Sequence, residues 1–449
     1  MRNKLATVSQ QNNDNNCMEW LEIVLQLSDL KYLDIEKIHQ WNKQFAYVTV
    51  VADAKRPTRL NNDIAWYQIG KDKGRSPVCN AMLINARRNW VLFLEDDESI
   101  RLGSIPANHS LDPQTWTPTL IRQEKPGGYL QYYQMRLVHA TSNPIFDGKN
   151  LPDCTRYIRD NEIQLLNHSV VIERDSSPIS HVDIDAELSL KNYSPRLYLV
   201  SGDRYFKNKK YVHAAAQYRR LLKEEKLLPF DRLGAVNGLA SCYVEQYKWD
   251  KAVALSNESL NAESLQSLPY LIKYRIHELR KEWDESFKII KQYYERFTLH
   301  SRASFDQIIN EEKALVNLAN VALKAGMRRE ATRYFEKLFV FKRDGVDRSL
   351  LKKVLVLSIE LEDFERSVYL FERIFKDDLF GEINKETEED FEQIMTMFMQ
   401  REWYDYVSQV YNKLHNLYPE NRTYKRKLIV ALTKTNRLDK AKAMLTNIV

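Results

Sequence analysis

The chain has 449 residues, with 67 Lys and Arg against 61 Asp and Glu, 44% apolar residues, 12 Gly and 13 Pro. That length exceeds what one hydrophobic core serves and predicts two or three domains, while the charge and scarce Gly and Pro exclude a low-complexity chain and point to a folded, helix-rich one. A net charge of +6 without any Lys/Arg block argues against a nucleic-acid partner.

The first residues, MRNKLATVSQQNNDNN, lack the apolar core of a signal peptide. No stretch reaches the roughly 18 apolar residues of a membrane span, so a cytoplasmic protein is expected. Cys17, Cys79, Cys154 and Cys242 are far apart and form no CxxC pair; reduced thiols acting as small core residues are expected.

Lys4 to Ser9 reads as a short strand, and Met18 to Leu27 as a helix with Trp20, Leu21, Val24 and Leu27 on one side. Ala46 to Ala52 reads as a buried strand and Ile64 to Ile69 as another. A helix over Val78 to Arg88 leads into Trp90 to Leu94, an uninterrupted apolar run that suits a strand covered on both faces. Alternating β and α elements predict a mostly parallel sheet. Ligands of such sheets sit outside the carboxyl ends of the strands, where the chain places Glu95, Asp96, Asp97 and Glu98. Two carboxylates one residue apart at a strand end suit a shared Mg²⁺ or Mn²⁺ that also binds a diphosphate, and Asp53 closes an earlier strand.

From about Pro195 onward one pattern returns: a large residue, a small residue three later, and a large apolar residue four after that. The small positions fall at 214, 252, 286, 331, 367, 406 and 441, so that consecutive ones lie 38, 34, 45, 36, 39 and 35 residues apart. Spacing near the tetratricopeptide period predicts about seven helix pairs, each unable to bury two apolar stripes alone and therefore stacked on its neighbours. Trp249, Trp283 and Trp403 lie on this period and read as packing residues. The concave face of such an array usually holds a peptide or protein segment.

The order of elements, the segment RSPVCNAMLINARRNWVLFLEDDESI and the trailing repeats resemble family 2 glycosyltransferases of the GT-A fold. The bacterial subgroup with a C-terminal tetratricopeptide array, to which sublancin-type peptide S-glycosyltransferases belong, is the nearest in plan. The resemblance implies an α/β GT-A-like domain over residues 1–182, a linker over 183–196 and a TPR-like all-α solenoid over 197–449. It implies further that Asn13 and Asp14 lie near the nucleotide, with Asp53, Asn80 and Asp96 also on the donor. Glu95 and Asp97 fall on the outer positions of the family's Asp-x-Asp motif and His168 on its late His, which makes these three the metal ligands. Asp153 and Glu98 are the candidate bases. The implied reaction is Mn²⁺- or Mg²⁺-assisted transfer of a sugar from a nucleotide-sugar donor, expected to be a UDP-sugar, to a peptide or protein side chain held by the repeats.

Departures from the family pattern keep a second reading open. Cys79 stands where the family has Arg, the Gly-x-x-His-Glu element is reduced to Gly148 followed by Asp153, and the stretch after Asp53 is altered to AKRPTRL. On that reading the protein is a catalytically degraded relative acting as a protein-binding scaffold. An unrelated α/β cap on a repeat adaptor is a third. Sugar, acceptor and oligomeric state, a homo-oligomer included, are not legible.

Overall fold

A computed structural model describes residues 18–28, 30–70, 73–106, 111–141, 143–149, 152–166, 170–174, 194–225, 227–296, 306–342, 347–380 and 385–446. An N-terminal α/β region is followed by a long TPR-like helical array. The chain divides into two compact units, Met1–Asn310 and Glu311–Val449. Of the linker expected over 183–196, residues 183–193 lie outside the described residues.

Four parallel strands form the core of the first sheet: β1 (Met18–Gln26), β2 (Phe45–Ala52), β3 (Ala65–Gln68) and β4 (Trp90–Glu95). Their order is β3-β2-β1-β4, with β9 (Leu137–His139) antiparallel on the far side of β4. Helix α1 (Ile35–Gln44) connects β1 to β2, and α2 (Arg75–Ile84) connects β3 to β4.

One expectation is overturned here: Met18–Gln26 is a strand, the central one, and not a helix. Its apolar run satisfies both periods because it is short, and a place between β2 and β4 decides the matter, burying Leu21, Ile23, Val24 and Leu25 from both faces. Glu22 is tolerated inside because its carboxylate accepts from Thr49 Oγ1 at 2.7 Å and from the Arg87 N–H at 2.8 Å. The strand expected over Lys4–Ser9 lies outside the described residues.

A second, mixed sheet has the order β12-β8-β7-β11-β5. It comprises β5 (Glu98–Ile100), β7 (Thr119–Lys125), β8 (Gly128–Gln134), β11 (Val170–Arg174) and β12 (Asp306–Ile309). Two further short strands, β6 (Thr115–Trp116) and β10 (Gln164–Leu165), pair with each other. Among the described residues this region also contains helix α3 (Thr155–Asp160).

The helical array contains seven pairs among the described residues: 196–207 with 211–222, 229–245 with 249–262, 268–279 with 283–295, 311–324 with 328–342, 348–360 with 364–380, 385–400 with 404–417, and 422–434 with 438–446. The turn inside every pair is the same. Lys209, Tyr247, Lys281, Gly326, Glu362, Glu402 and Asn436 adopt left-handed backbone, with φ between 58° and 74°. The next residue's N–H then reaches back to a carbonyl of the last helical turn, from Lys210 to Tyr205 through Arg437 to Leu432, at 2.8–3.1 Å. This left-handed cap satisfies carbonyls that the helix end would otherwise leave unpaired and reverses the chain in two residues.

Five residues after each left-handed position comes the small or slim residue on which the helices approach: Ala214, Ala252, Ser286, Ala331, Ser367, Val407 and Ala441, all buried. The sixth unit is thus shifted by one from the sequence reading. Val407, not Tyr406, occupies the close-approach position, and Tyr404 rather than Trp403 opens the helix.

The long gap of 45 residues between positions 286 and 331 has a structural cause. It contains β12, which leaves the helical array after the third pair and adds antiparallel to β8. Gly128 makes that approach possible, because a Cβ there would lie 2.0 Å from the Ile308 carbonyl oxygen. On its other side β12 is held by the third pair: the Tyr293 hydroxyl accepts from the Ile309 N–H at 3.1 Å, and the Ser267 hydroxyl donates to the Gln307 carbonyl. Leu228 and Phe230 of the second pair join the hydrophobic core of the α/β region. Arg196 of the first pair donates to the Tyr133 carbonyl of β8 and sits 3.7 Å from Asp231.

Candidate functional site at the sheet switch point

Strand order β3-β2-β1-β4 means that the chain builds outward in one direction and then returns to the other side of β1. The carboxyl ends of β1 and β4 flank that reversal, the place where open α/β sheets bind ligands. Gln26 and Ser28 stand at one end and Glu95 to Glu98 at the other. Ser28 bridges them, its N–H donating to Asp96 Oδ2 at 2.9 Å and its hydroxyl to the same oxygen.

The carboxylates of Glu95, Asp97 and Glu98 each bring an oxygen within 4.8 Å of the others, close enough to share a metal ion. They are also surrounded by three guanidinium groups. Glu95 accepts from Arg136 at 2.5 Å and Arg75 at 2.7 Å, and from Arg174. Glu98 is fully buried; it lies 3.1 Å from Arg174 and 3.3 Å from Arg136 and accepts from the Glu95 N–H at 2.8 Å, closing the acidic turn. Asp97 accepts from Arg174 Nε at 3.1–3.2 Å. Arg174 also donates to the Tyr132 hydroxyl at 2.8 Å, and Arg136 to Gln134 at 2.8 Å.

Burial opposes charge throughout this cluster, and the outcome differs by residue. Burial would raise the Glu95 carboxyl, but Arg136, then Arg75 and Arg174, overcome it and hold the group far below the usual carboxylate range. Burial keeps Glu98 above its usual value, with Glu95 repelling it and Arg136 opposing. Asp97 is likewise raised by burial against the pull of Arg174. Three carboxylates and three guanidiniums therefore form a nearly neutral, desolvated network. A divalent ion entering it would have to take the place of a guanidinium.

None of the three arginines was singled out by the sequence reading, although Arg75 had a signal. It precedes Cys79 by four residues on α2, hence on the same face one turn earlier. The positive charge absent at 79 thus stands at 75, its guanidinium against Glu95. Gln26 links the two positions, donating to Cys79 Sγ at 3.0 Å and accepting from Arg75 Nε at 3.4 Å. Burial pushes the Cys79 thiol up to about 11, so it remains a neutral packing group.

The other expected site residues fall as follows. Asn80 is a structural clamp: its Oδ1 accepts from the Ile145 and Phe146 N–H groups at 2.9 Å and its Nδ2 donates to the Phe146 carbonyl. Asp53 is exposed directly after β2. Asp153 is buried and accepts from the Thr155 N–H and hydroxyl at 2.9 and 2.6 Å and from the Ser194 hydroxyl, tying the start of α3 to the entry of the first helix pair. Asn13, Asp14 and His168 lie outside the described residues. The turn that follows the central strand β1 begins at Leu27.

No protein-family model matches the chain, and no curated protein matches it. Solved structures resemble its helical repeats. A stretch of 52% of the chain matches 95% of PilF from Pseudomonas aeruginosa at 17% identity and a TM-score of 0.30. The TPR protein YrrB, described with an unusual peptide-binding site, is matched over 99% of its length by 49% of this chain, at 10% identity and a TM-score of 0.32. MamA from Desulfovibrio magneticus RS-1 is matched over 97% of its length by 42% of this chain, at 9% identity and a TM-score of 0.32. No helix among the described residues is long and apolar enough to cross a membrane.

Proposed function

We propose that the protein is a glycosyltransferase of GT-A type that takes a nucleotide sugar at the β1/β4 switch point and transfers the sugar to a peptide or protein held by its helical repeats. The observation that carries this reading is the convergence of Glu95, Asp97 and Arg75 at the reversal of strand order. Hard oxygen donors at this spacing fit Mg²⁺ or Mn²⁺, and Glu95 and Asp97 are the residues that would hold it. When bound, such an ion neutralises the departing diphosphate, the main electrostatic demand of the transfer.

The chain's own residues do the remaining work. Arg75, more than a quarter exposed, presents a fixed cation beside the acidic turn, and Arg136 and Glu98 hold that turn from inside. A general base has to come within hydrogen-bond reach of the acceptor proton. Of the two candidates, Glu98 has its oxygens engaged by Arg136, Arg174 and the Glu95 N–H, and Asp153 by Thr155 and Ser194. In this conformation both act as positioning residues, and either becomes a base only after releasing a partner.

A second reading has its own observation: every carboxylate of the triad is already paired with arginine. On that reading the switch point is a filled structural network and the protein is a binding scaffold. Thermal melting with Mn²⁺ and a panel of nucleotide-diphosphate sugars separates the two, since a ligand of the native state raises the midpoint. Stabilisation by one donor that is lost in Asp97→Ala supports the transferase; no shift with any donor overturns it in favour of the scaffold.

A further inference from the structure

The second sheet carries a different charge arrangement on its other face. Consecutive strand residues point to opposite faces, and Arg174 faces the acidic cluster. Glu173 therefore faces away from it, together with its cross-strand partners Arg122 on β7 and Ser99 on β5. A cleft of about 760 Å³ reaches this side, lined by Arg101, Arg122, Glu124 and Glu173 together with Lys125 and Arg174.

The cleft is rich in cations that repel one another. Arg101 binds Glu173 at 2.7 Å, leaving that carboxylate shared at most between two arginines. Arg122, only 5% exposed in the middle of the sheet, lies 5.4 Å from the Tyr129 ring. Burial and then the like charge of Arg101 hold its guanidinium below the usual value, and burial followed by Lys207 does the same to the Lys125 ammonium. A concave site with low-dielectric walls concentrates such a field, and planar guanidinium groups match the oxygens of a phosphate.

We infer that this cleft is an oxyanion site that receives a phosphate or diphosphate group between Arg101 and Arg122, with Lys125 at the end of β7 lining the same cleft and Arg174 shared with the switch-point network. Its far wall is supplied by the strand inserted into the repeat array: the Asn310 N–H donates to the Gly127 carbonyl at 3.0 Å, just where β12 leaves β8. Asn310, which follows β12, lines the cleft, so an anion bound there lies beside the point where the inserted strand leaves the sheet.

The test is thermal melting and calorimetric titration of the full chain with pyrophosphate at constant ionic strength, with sodium sulfate as the control for unspecific anion effects. Pyrophosphate should raise the midpoint more than sulfate, and Arg101→Gln and Lys125→Gln, both on the surface, should each weaken binding about tenfold. Arg122→Gln is the more demanding variant, and the two surface variants stand if it does not fold. Arg275→Gln, at an exposed arginine of the third helix pair, should leave pyrophosphate binding unchanged. Equal stabilisation by sulfate overturns the proposal, as does wild-type affinity in the Arg101→Gln, Lys125→Gln double variant. Loss of binding in Arg75→Ala alone would put the anion at the switch point and leave only the glycosyltransferase reading standing.

Discussion

Arg75 sets the competition between guanidinium and metal at the acidic turn, and removing it should improve cation binding. Arg75 contributes one charge-assisted bond of 2.7 Å to Glu95, and its side chain is 28% exposed. Such a bond is worth about 1.5–3 kcal/mol when buried, and partial solvent screening brings it to about 1–2 kcal/mol. Taking it away frees a Glu95 oxygen and lifts a repelling positive charge, while Arg136 and Arg174 still hold the rest of the turn. Since about 1.4 kcal/mol is a factor of ten, Mn²⁺ should bind Arg75→Ala about 5- to 30-fold more tightly than the parent chain. Free Mn²⁺ is read directly by electron paramagnetic resonance during titration, and Asp97→Asn in the same background supplies the control. Equal or weaker Mn²⁺ binding by Arg75→Ala, or tighter binding that survives Asp97→Asn, would refute the account of the cluster as a site where arginine and metal exclude each other.

Other consequences concern the array and its ionisation. Tyr218 is wedged between Gly202 and Gly238, where an added Cβ would lie 2.5 Å from its ring on either side. Gly202→Ala should therefore cost about 1–2 kcal/mol despite the better helix propensity of Ala, and combining it with Tyr218→Leu should recover most of that loss in a double-mutant cycle followed by urea unfolding. Lys281 and Glu362 hold left-handed backbone that Gly adopts freely, so Lys281→Gly and Glu362→Gly should each raise stability by up to about 1 kcal/mol, measured as an increase in melting temperature. Asp203, which accepts from the Tyr218 hydroxyl at 2.7 Å, is pushed by burial up to about 7. The folded state then keeps this proton to higher pH than the unfolded chain, so the group's contribution is greatest below about pH 4 and declines as pH rises toward 7. Asp203→Asn should flatten that decline in melting temperature, and an unchanged pH profile would count against it.

How far the sequence carried depended on whether contacts were local or distant. The repeat array was legible because each helix pair repeats the same turn and close-approach residue within about 35 residues, although the gap of 45 did not by itself announce a strand. The strand Trp90–Glu95 and its acidic end were legible because a continuous apolar run closed by carboxylates has few other uses. Three things were decided by tertiary structure alone. Met18–Gln26 became the central strand because two neighbouring strands bury both its faces, overriding a pattern that also fits a helix. The carboxylates at 95–98 acquired arginines from as far as 41 and 79 residues away, since desolvated charges require partners that no local pattern announces. The inserted segment became β12 because the edge of β8, with a glycine at 128, offered unpaired backbone groups and room for a strand to approach.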